Sequence, residues 1–216
     1  MKAVVLLSGG VDSTTAAYFA KSKGYELHAL SILYGHKALP EIECAKKTAE
    51  AICESHLVLD MNCLKDIWKT PLINMDVDVD ENDREGDSFY VVHLRNIVFL
   101  SIAAAYAETI GASTVIIGNQ EGDLKGFPDC REIAMKSLEA TLNIASVEGK
   151  NIRIWSPWQH TSKKAIIAQG LKLGVPYENT YSCYDDEQQC GVCESCVYRK
   201  EAFAANGIED PRGYKE

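Results

Sequence analysis

The N-terminus lacks a long apolar run: the stretch Ala3 to Leu7 is five residues, too short for a secretory signal and far too short to span a bilayer. A cytoplasmic protein without a membrane partner is therefore expected. Positive charge is also scarce, 22 Lys and Arg against 31 Asp and Glu for a net charge of −9 and a pI near 5.1. Duplex nucleic acid is then an unsuitable main partner, because binding its phosphates needs clustered cations that release counterions. A small-molecule substrate fits better. There is no internal repeat and no low-complexity linker, so the 216 residues suit one domain with at most a small appendage. Such a chain buries roughly 70% of the surface its unfolded form exposes. Without an export signal, the eight cysteines do not read as a disulfide framework.

What is present has a clear order. Lys2–Leu7 is a continuous apolar run ending at Ser8-Gly9-Gly10, as for a strand buried on both faces of a parallel sheet, and helix formers follow from Asp12 until Gly24. The alternation continues with a strand at 27–33, a helix at 41–53, a strand at 56–61, a long apolar helix at 97–109 and a strand at 114–117 that closes the core. The spacing predicts an α/β fold, a Rossmann-like doubly wound parallel sheet over residues 1–175, with a small C-terminal helical segment, 176–216, packed on it. Sheets of this kind bind ligands outside the carboxyl ends of their strands. Between the third strand and the long helix, residues 76–87 carry seven carboxylates in twelve positions and read as a solvated loop.

Three constellations carry chemistry. In Ser8-Gly9-Gly10-Val11-Asp12-Ser13-Thr14 the glycines turn the backbone sharply and aim successive N–H groups into one concavity, and the helix that follows adds its positive end. The result is an anion site that is neither a Walker A loop nor GxGxxG. The plainer alternative is a tight turn in which Asp12 or Ser13 caps the helix. The second constellation is Cys183-x6-Cys190-x2-Cys193-x2-Cys196, whose four soft thiolates suit one tetrahedral zinc with no vacancy, a structural rather than catalytic site. An iron–sulfur cluster or cysteines that merely pack are the alternatives. The third is the loop after the strand at 114–117, Gly118-Asn119-Gln120 and then Gly126-Phe127-Pro128-Asp129-Cys130-Arg131. Asp129 beside Arg131 offers an acceptor and a bidentate donor for a purine-like face, or else Asp129 caps the helix beginning near Arg131. Arg95-Asn96 at the head of the long helix is either a nucleotide contact or an ordinary polar first turn.

SGGxDST after the first strand resembles the PP-loop superfamily of N-type ATP pyrophosphatases. Together with Arg95-Asn96, GFPDCR at 126–131, LGVPY-x3-T-x-SCY at 173–184 and the four-cysteine knuckle, the chain is similar over nearly its whole length to the 7-cyano-7-deazaguanine synthase (QueC) family. The resemblance implies that Ser8, Gly9, Gly10, Val11, Ser13 and Thr14 hold the pyrophosphate of ATP, with Asp12 near its magnesium, and that Lys163 touches phosphate. It implies that Arg95, Asn96 and Gly118 contact the nucleotide and that Phe127, Asp129 and Arg131 hold a deazaguanine. The implied reaction is ATP-dependent conversion of 7-carboxy-7-deazaguanine and ammonia to the nitrile through an adenylated intermediate and an amide, with a structural zinc, in a homodimer. Lys163 could instead be a solvated residue at a helix start.

Several positions depart from the family pattern. Tyr34-Gly35-His36-Lys37-Ala38 replaces Tyr-Gly-Gln-Arg-His, Val92-His93-Leu94-Arg95-Asn96 loses a proline, Glu132-Ile133-Ala134 lacks the acidic-aromatic step, and Ala165 stands where a Glu is usual. These changes keep two other readings in view: transfer of the adenylated deazaguanine to a protein amine, as in QueC-like proteins of anti-phage systems, and a non-catalytic zinc-bearing nucleotide-binding module.

Overall fold

The computed structural model describes residues 1–35, 39–68, 70, 73, 91–147, 151–184 and 188–215. The acidic segment 76–87 and the altered positions 36–38 lie outside them. Five parallel strands, β1 (Lys2–Leu6), β2 (Glu26–Leu33), β3 (Ser55–Asp60), β4 (Thr114–Ile116) and β5 (Arg153–Trp155), stand in the order β3-β2-β1-β4-β5. The helices are α1 (Val11–Ser22), α2 (Leu39–Ile52), α3 (Arg95–Ile110), the single turn α4 (Asp123–Gly126), α5 (Glu132–Ala145), α6 (Lys163–Lys172) and α7 (Glu194–Ala204).

The N-terminal apolar run is explained by the two layers it separates. Ala3, Val5 and Leu7 point to one face and pack with Ala16, Ala17 and Ala20 of α1, Ala45 and Ala49 of α2 and Ile166 of α6. Val4 points to the other, against Leu100, Ala103, Ala104 and Ala107 of α3 and Met135 of α5. Both faces of β1 are dry, which is why the period-two alternation of a half-exposed strand is missing. Each fully buried Val or Leu contributes about 1.5–3 kcal/mol. The alanines let α1 and α3 approach the sheet closely.

The sheet extends one strand further than its sequence pattern indicates. β5 pairs beside β4, so 114–117 is not the last core strand. Three residues are too few to show a period, and its flanks, Arg153 and the half-buried Trp155, do not form an apolar run. α1 begins after Gly10, whose extended backbone forms the N-cap, and the turn behind it ends on Gly24 at a φ of +82°.

Chain order places the crevice. From β1 the chain moves outward through α1 to β2 and then β3, and it returns through α3 to β4 on the opposite side of β1. The carboxyl ends of β1 and β4 therefore flank the switch point of the sheet, where the loops after them diverge and leave space for a ligand. Among the described residues no helix is long and apolar enough to cross a membrane.

Candidate active site

The loop after β1 is tightly held. The Ser13 hydroxyl accepts from the Ser8 N–H at 3.2 Å, lies 2.9 Å from the Ser8 hydroxyl and donates to the Gly10 carbonyl at 3.3 Å; the Gly10 N–H donates to the Ser8 hydroxyl at 3.2 Å. Side-chain hydroxyls thus brace the turn at its mouth. Gly9 has a φ of +89°, and a Cβ built on it would lie 2.0 Å from the Glu41 carbonyl oxygen, so the first turn of α2 presses against the loop where only glycine fits. Gly118, at the end of β4, is equally constrained: a Cβ there would come within 2.7 Å of the Ser13 backbone. The two loops meet backbone to backbone at the switch point.

A cavity of about 330 Å³ opens over this junction, lined by Ser8, Gly10, Val11, Asp12, Ser13, Arg95, Asn96, Gly118, Phe127 and Lys163 among others. A second, of about 780 Å³, shares Asp12, Arg95, Phe127 and Lys163 with it and runs out towards α7. Residues distant in sequence converge here. Lys163 Nζ is 3.2 Å from Asp12 Oδ2, both side chains being largely buried. Asp12 Oδ1 is buried and has no hydrogen-bond partner among the described residues. Arg95 donates to the Tyr34 hydroxyl at 3.1 Å, and its guanidinium lies over that ring at 5.6 Å. Burial opposes the Arg95 charge, but Tyr34, Cys130 and Asp129 outweigh it and raise its pKa.

Other expected site residues stand outside the cavity lining. Thr14 is fully buried beneath the loop, and Gly9 serves the contact with α2. Asp129 accepts the Asn96 N–H at 2.9 Å, so it caps a helix, although the helix is α3 from far along the chain rather than α5. The Arg131 Nε donates to the Leu124 carbonyl at 3.2 Å. The Cys130 carbonyl accepts from both Asn119 and Gln159, at 3.0 and 2.8 Å. In this arrangement GFPDCR ties α3 to the end of β4 and presents Phe127, rather than Asp129 and Arg131, to the cavities.

Two acidic residues that sequence reasoning did not single out do line the cavity. Asp123, whose carboxylate accepts the Gln120 N–H at 2.8 Å, has its pKa raised by burial and then by the charge of Asp12. Burial pushes the Glu41 carboxyl up to about 8, against the opposing charge of Arg95. An acid in a helix's first turn is ordinary dipole chemistry, so nothing in the sequence distinguished Glu41.

Leu94, directly before Arg95, occupies the left-handed region at φ 56° while its side chain is 66% exposed. That conformation costs a β-carbon-bearing residue about 1–2 kcal/mol. Glycine removes this strain and offsets part of the gain through the larger entropy of its unfolded state. Leu94→Gly is therefore expected to raise Tm by about 1–3 °C in calorimetry, whereas Leu94→Ala, which keeps the Cβ, leaves it unchanged.

The four thiolates of the C-terminal segment converge as the spacing requires. Cys183, Cys190, Cys193 and Cys196 bring their sulfurs within 4.8 Å of one another, with Cys183 and Cys193 3.9 Å apart. Tetrahedral Zn–S bonds of about 2.3 Å need sulfur–sulfur edges of about 3.8 Å. N–H groups of Cys190 and Cys193 point at the sulfurs of Cys183 and Cys190, both at 3.3 Å, a donor set that favours thiolate. The group could hold a metal such as zinc. The segment is anchored by Arg199, fully buried and paired with Asp210 through two bonds of 2.6 and 2.9 Å. Its other donors hold the Thr180 hydroxyl at 2.9 Å and the Tyr177 carbonyl at 3.1 Å. From there the Tyr181 N–H donates to the Gly9 carbonyl at 2.9 Å, joining this segment to the phosphate-type loop.

Residues 2–207 match the family model described as queuosine biosynthesis protein QueC. The chain is 42% identical to the 7-cyano-7-deazaguanine synthase of Clostridium kluyveri over 99% of its own length and 98% of the relative's. It is also 42% identical to the synthase of Methanosphaerula palustris over the full length of both. Among solved structures, NMN synthetase from Francisella tularensis superposes with a TM-score of 0.53 over 96% of this chain and 77% of that one, at 15% identity, a likeness of fold.

Proposed function

The chain belongs to the QueC family of PP-loop enzymes, and we propose that it converts 7-carboxy-7-deazaguanine and ammonia, at the expense of ATP, into 7-cyano-7-deazaguanine. The observation that carries this reading is the convergence, in one cavity at the switch point, of the braced Ser8–Ser13 loop, the Lys163–Asp12 pair and Arg95. N–H groups at the start of α1, the hydroxyls of Ser8 and Ser13, and Lys163 would receive the pyrophosphate as a substrate carboxylate oxygen attacks the α-phosphorus. Charge that develops on the departing oxygens is then met by donors already in place. The orphaned Asp12 Oδ1 fits a magnesium ion brought by ATP, which would neutralise phosphate charge.

The larger cavity, which Phe127 lines, would take the planar substrate. Ammonia displaces AMP to form the amide. Activation of the amide oxygen by a second ATP, with loss of AMP, gives the nitrile. The chain itself contributes alignment and the exclusion of water from the anhydride. Residues 1–175 form the body that does this. Residues 176–216 hold a structural zinc on their four cysteines and brace the loop from behind.

Incubating the protein with 7-carboxy-7-deazaguanine, ammonium and Mg-ATP is expected to release AMP and pyrophosphate and to form the nitrile, read by mass spectrometry. Release of AMP without amide or nitrile, accompanied by a mass increase on a protein amine, would replace this reading with transfer to a protein acceptor. ATP binding with no pyrophosphate exchange at all would leave a nucleotide-binding module.

A further inference from the structure

The first half of the proposed reaction takes place at one carboxyl group. From the larger cavity that group must reach the α-phosphorus of ATP, and ammonia must then attack the acyl adenylate where the larger cavity joins the one over the phosphate-type loop. Side chains that line both cavities stand around this junction. Those that carry charge are Asp12, Arg95, Asp123 and Lys163.

Ammonia brings one lone pair and three N–H donors. A group that orients it must accept a hydrogen bond, and one that promotes its attack must take the proton the nitrogen sheds. Arg95 and Lys163 have only donors to offer. Asp12 belongs to the phosphate-type loop, and its charge is paired with Lys163. Ser195 and Tyr184 also line both cavities, but their hydroxyls keep their own protons at neutral pH and are poor bases. The remaining acids stand away from the junction: Glu121, Glu194 and Glu201 are exposed and line only the larger cavity, and Glu41 lines only the smaller.

Asp123 is left, and the backbone fixes its position. It opens α4 in the loop after β4, where its Oδ2 accepts the Gln120 N–H at 2.8 Å while its own N–H donates to the Gln120 carbonyl at 3.0 Å. The two bonds tie the carboxylate to the end of β4, at the switch point of the sheet. Among the described residues Oδ1 makes no hydrogen bond or ion pair, so one oxygen anchors the group and the other is unused. Asp12, Lys163 and Arg95 all act on the charge of Asp123, in keeping with its place beside the groups assigned to phosphate.

Resting on the proposed function, we infer that Asp123 is the catalytic residue that receives ammonia, holding one N–H on Oδ1 and taking that proton as the C–N bond forms. The nitrogen lone pair attacks the acyl carbon, the C–O bond to AMP breaks, and AMP departs with the electron pair. The products are the amide, AMP and a protonated Asp123, which returns its proton to water through the open cavity. Burial, and after it the charge of Asp12, raises the Asp123 pKa, a direction that suits a proton acceptor.

The test compares two nucleophiles on one adenylate. Asp123→Asn keeps an oxygen for the Gln120 N–H and turns an N–H donor towards the nucleophile in place of the acceptor. The protein is supplied with 7-carboxy-7-deazaguanine, Mg-ATP and either ammonium or hydroxylamine, whose nitrogen is neutral at pH 7 and attacks acyl adenylates without help from a base. With ammonium, kcat/KM for amide and nitrile together should fall by about 10²–10³-fold in Asp123→Asn. The ratio of ammonia-derived product to hydroxamate should fall by about the same factor, because the hydroxamate reports the adenylate alone. Asp123→Glu should recover part of the ammonia rate.

The inference is overturned if Asp123→Asn uses ammonia within about threefold of wild type, or if its ammonia and hydroxylamine rates drop together, which marks a role in folding or adenylation. Wild-type protein that forms hydroxamate but no amide would overturn the ammonia site and leave the adenylation standing. Wild-type protein that forms neither, with no ATP:pyrophosphate exchange, would sink the proposed function and the role of Asp123 with it.

Discussion

Lys163→Met is expected to lower the rate of AMP release by about 10²–10³-fold while moving Tm by no more than a few degrees. Lys163 is the first residue of α6, behind Ser162 as N-cap, so its ammonium sits at the positive end of the helix dipole. A cation there is unfavourable by about 0.3–1 kcal/mol, and a helix under no other constraint would favour an acid. Methionine keeps the stem and removes the charge, which makes the lost function electrostatic rather than steric.

The ion pair with Asp12 provides the competing explanation. If Lys163 served only to hold Asp12, the variant would lose on the order of 1 kcal/mol of stability, and the double variant would be no slower than Asp12→Ala alone. Asp12→Ala separates the cases further. It should abolish turnover with the fold intact, since the carboxylate fronts the cavity and the loop is braced by Ser8 and Ser13 without it. Single-turnover pyrophosphate release, measured for both variants and the double variant, checks this. A Lys163→Met rate within threefold of wild type would show that loop amides alone stabilise the leaving pyrophosphate.

Much of this site was legible because its chemistry is local in sequence. The phosphate-type loop, the N-terminal apolar strand and the cysteine knuckle each occupy a short contiguous stretch whose residue types have few other uses. The doubly wound order followed from alternating apolar runs. What escaped was set by contacts between distant segments. Asp129 looks the same in sequence whether it faces a ligand or the first turn of α3, and only the fold shows that it accepts the Asn96 N–H. The pKa of the Glu41 carboxyl is raised by burial, against the lowering charge of Arg95, which lies 54 positions further on. β5 is too short and too mixed in composition to carry a period, and it becomes a strand because β4 offers an open edge. Leu94 gives no sequence sign of its left-handed backbone.

Removing the metal expected at the cysteine cluster should weaken ATP binding as well as the C-terminal segment. Cys193→Ser is the sharpest single change, because Cys193 also forms the N-cap of α7 and serine is a good capping residue there. The helix start is preserved while a thiolate is lost. Zinc content, followed with a chromogenic chelator, should fall from one per chain to near zero, and Tm should drop by about 10 °C or more, since structural zinc supplies a large share of a small segment's folding free energy.

The consequence for ATP follows from the path between the two sites. α7 carries the buried Arg199, which holds Thr180 and Tyr177, and the next residue, Tyr181, donates its N–H to the Gly9 carbonyl. Gly9 is the residue whose backbone also touches α2. Loosening α7 frees Arg199 from Asp210, and a buried guanidinium without its carboxylate is costly enough to draw the 177–182 stretch out of place. ATP affinity, measured by calorimetry, is expected to weaken at least tenfold in Cys193→Ser and in chelator-treated wild type, and to return when zinc is restored to the latter. If zinc leaves and ATP still binds with unchanged affinity, the cysteine segment is an independent appendage and the brace through Tyr181 carries no energy.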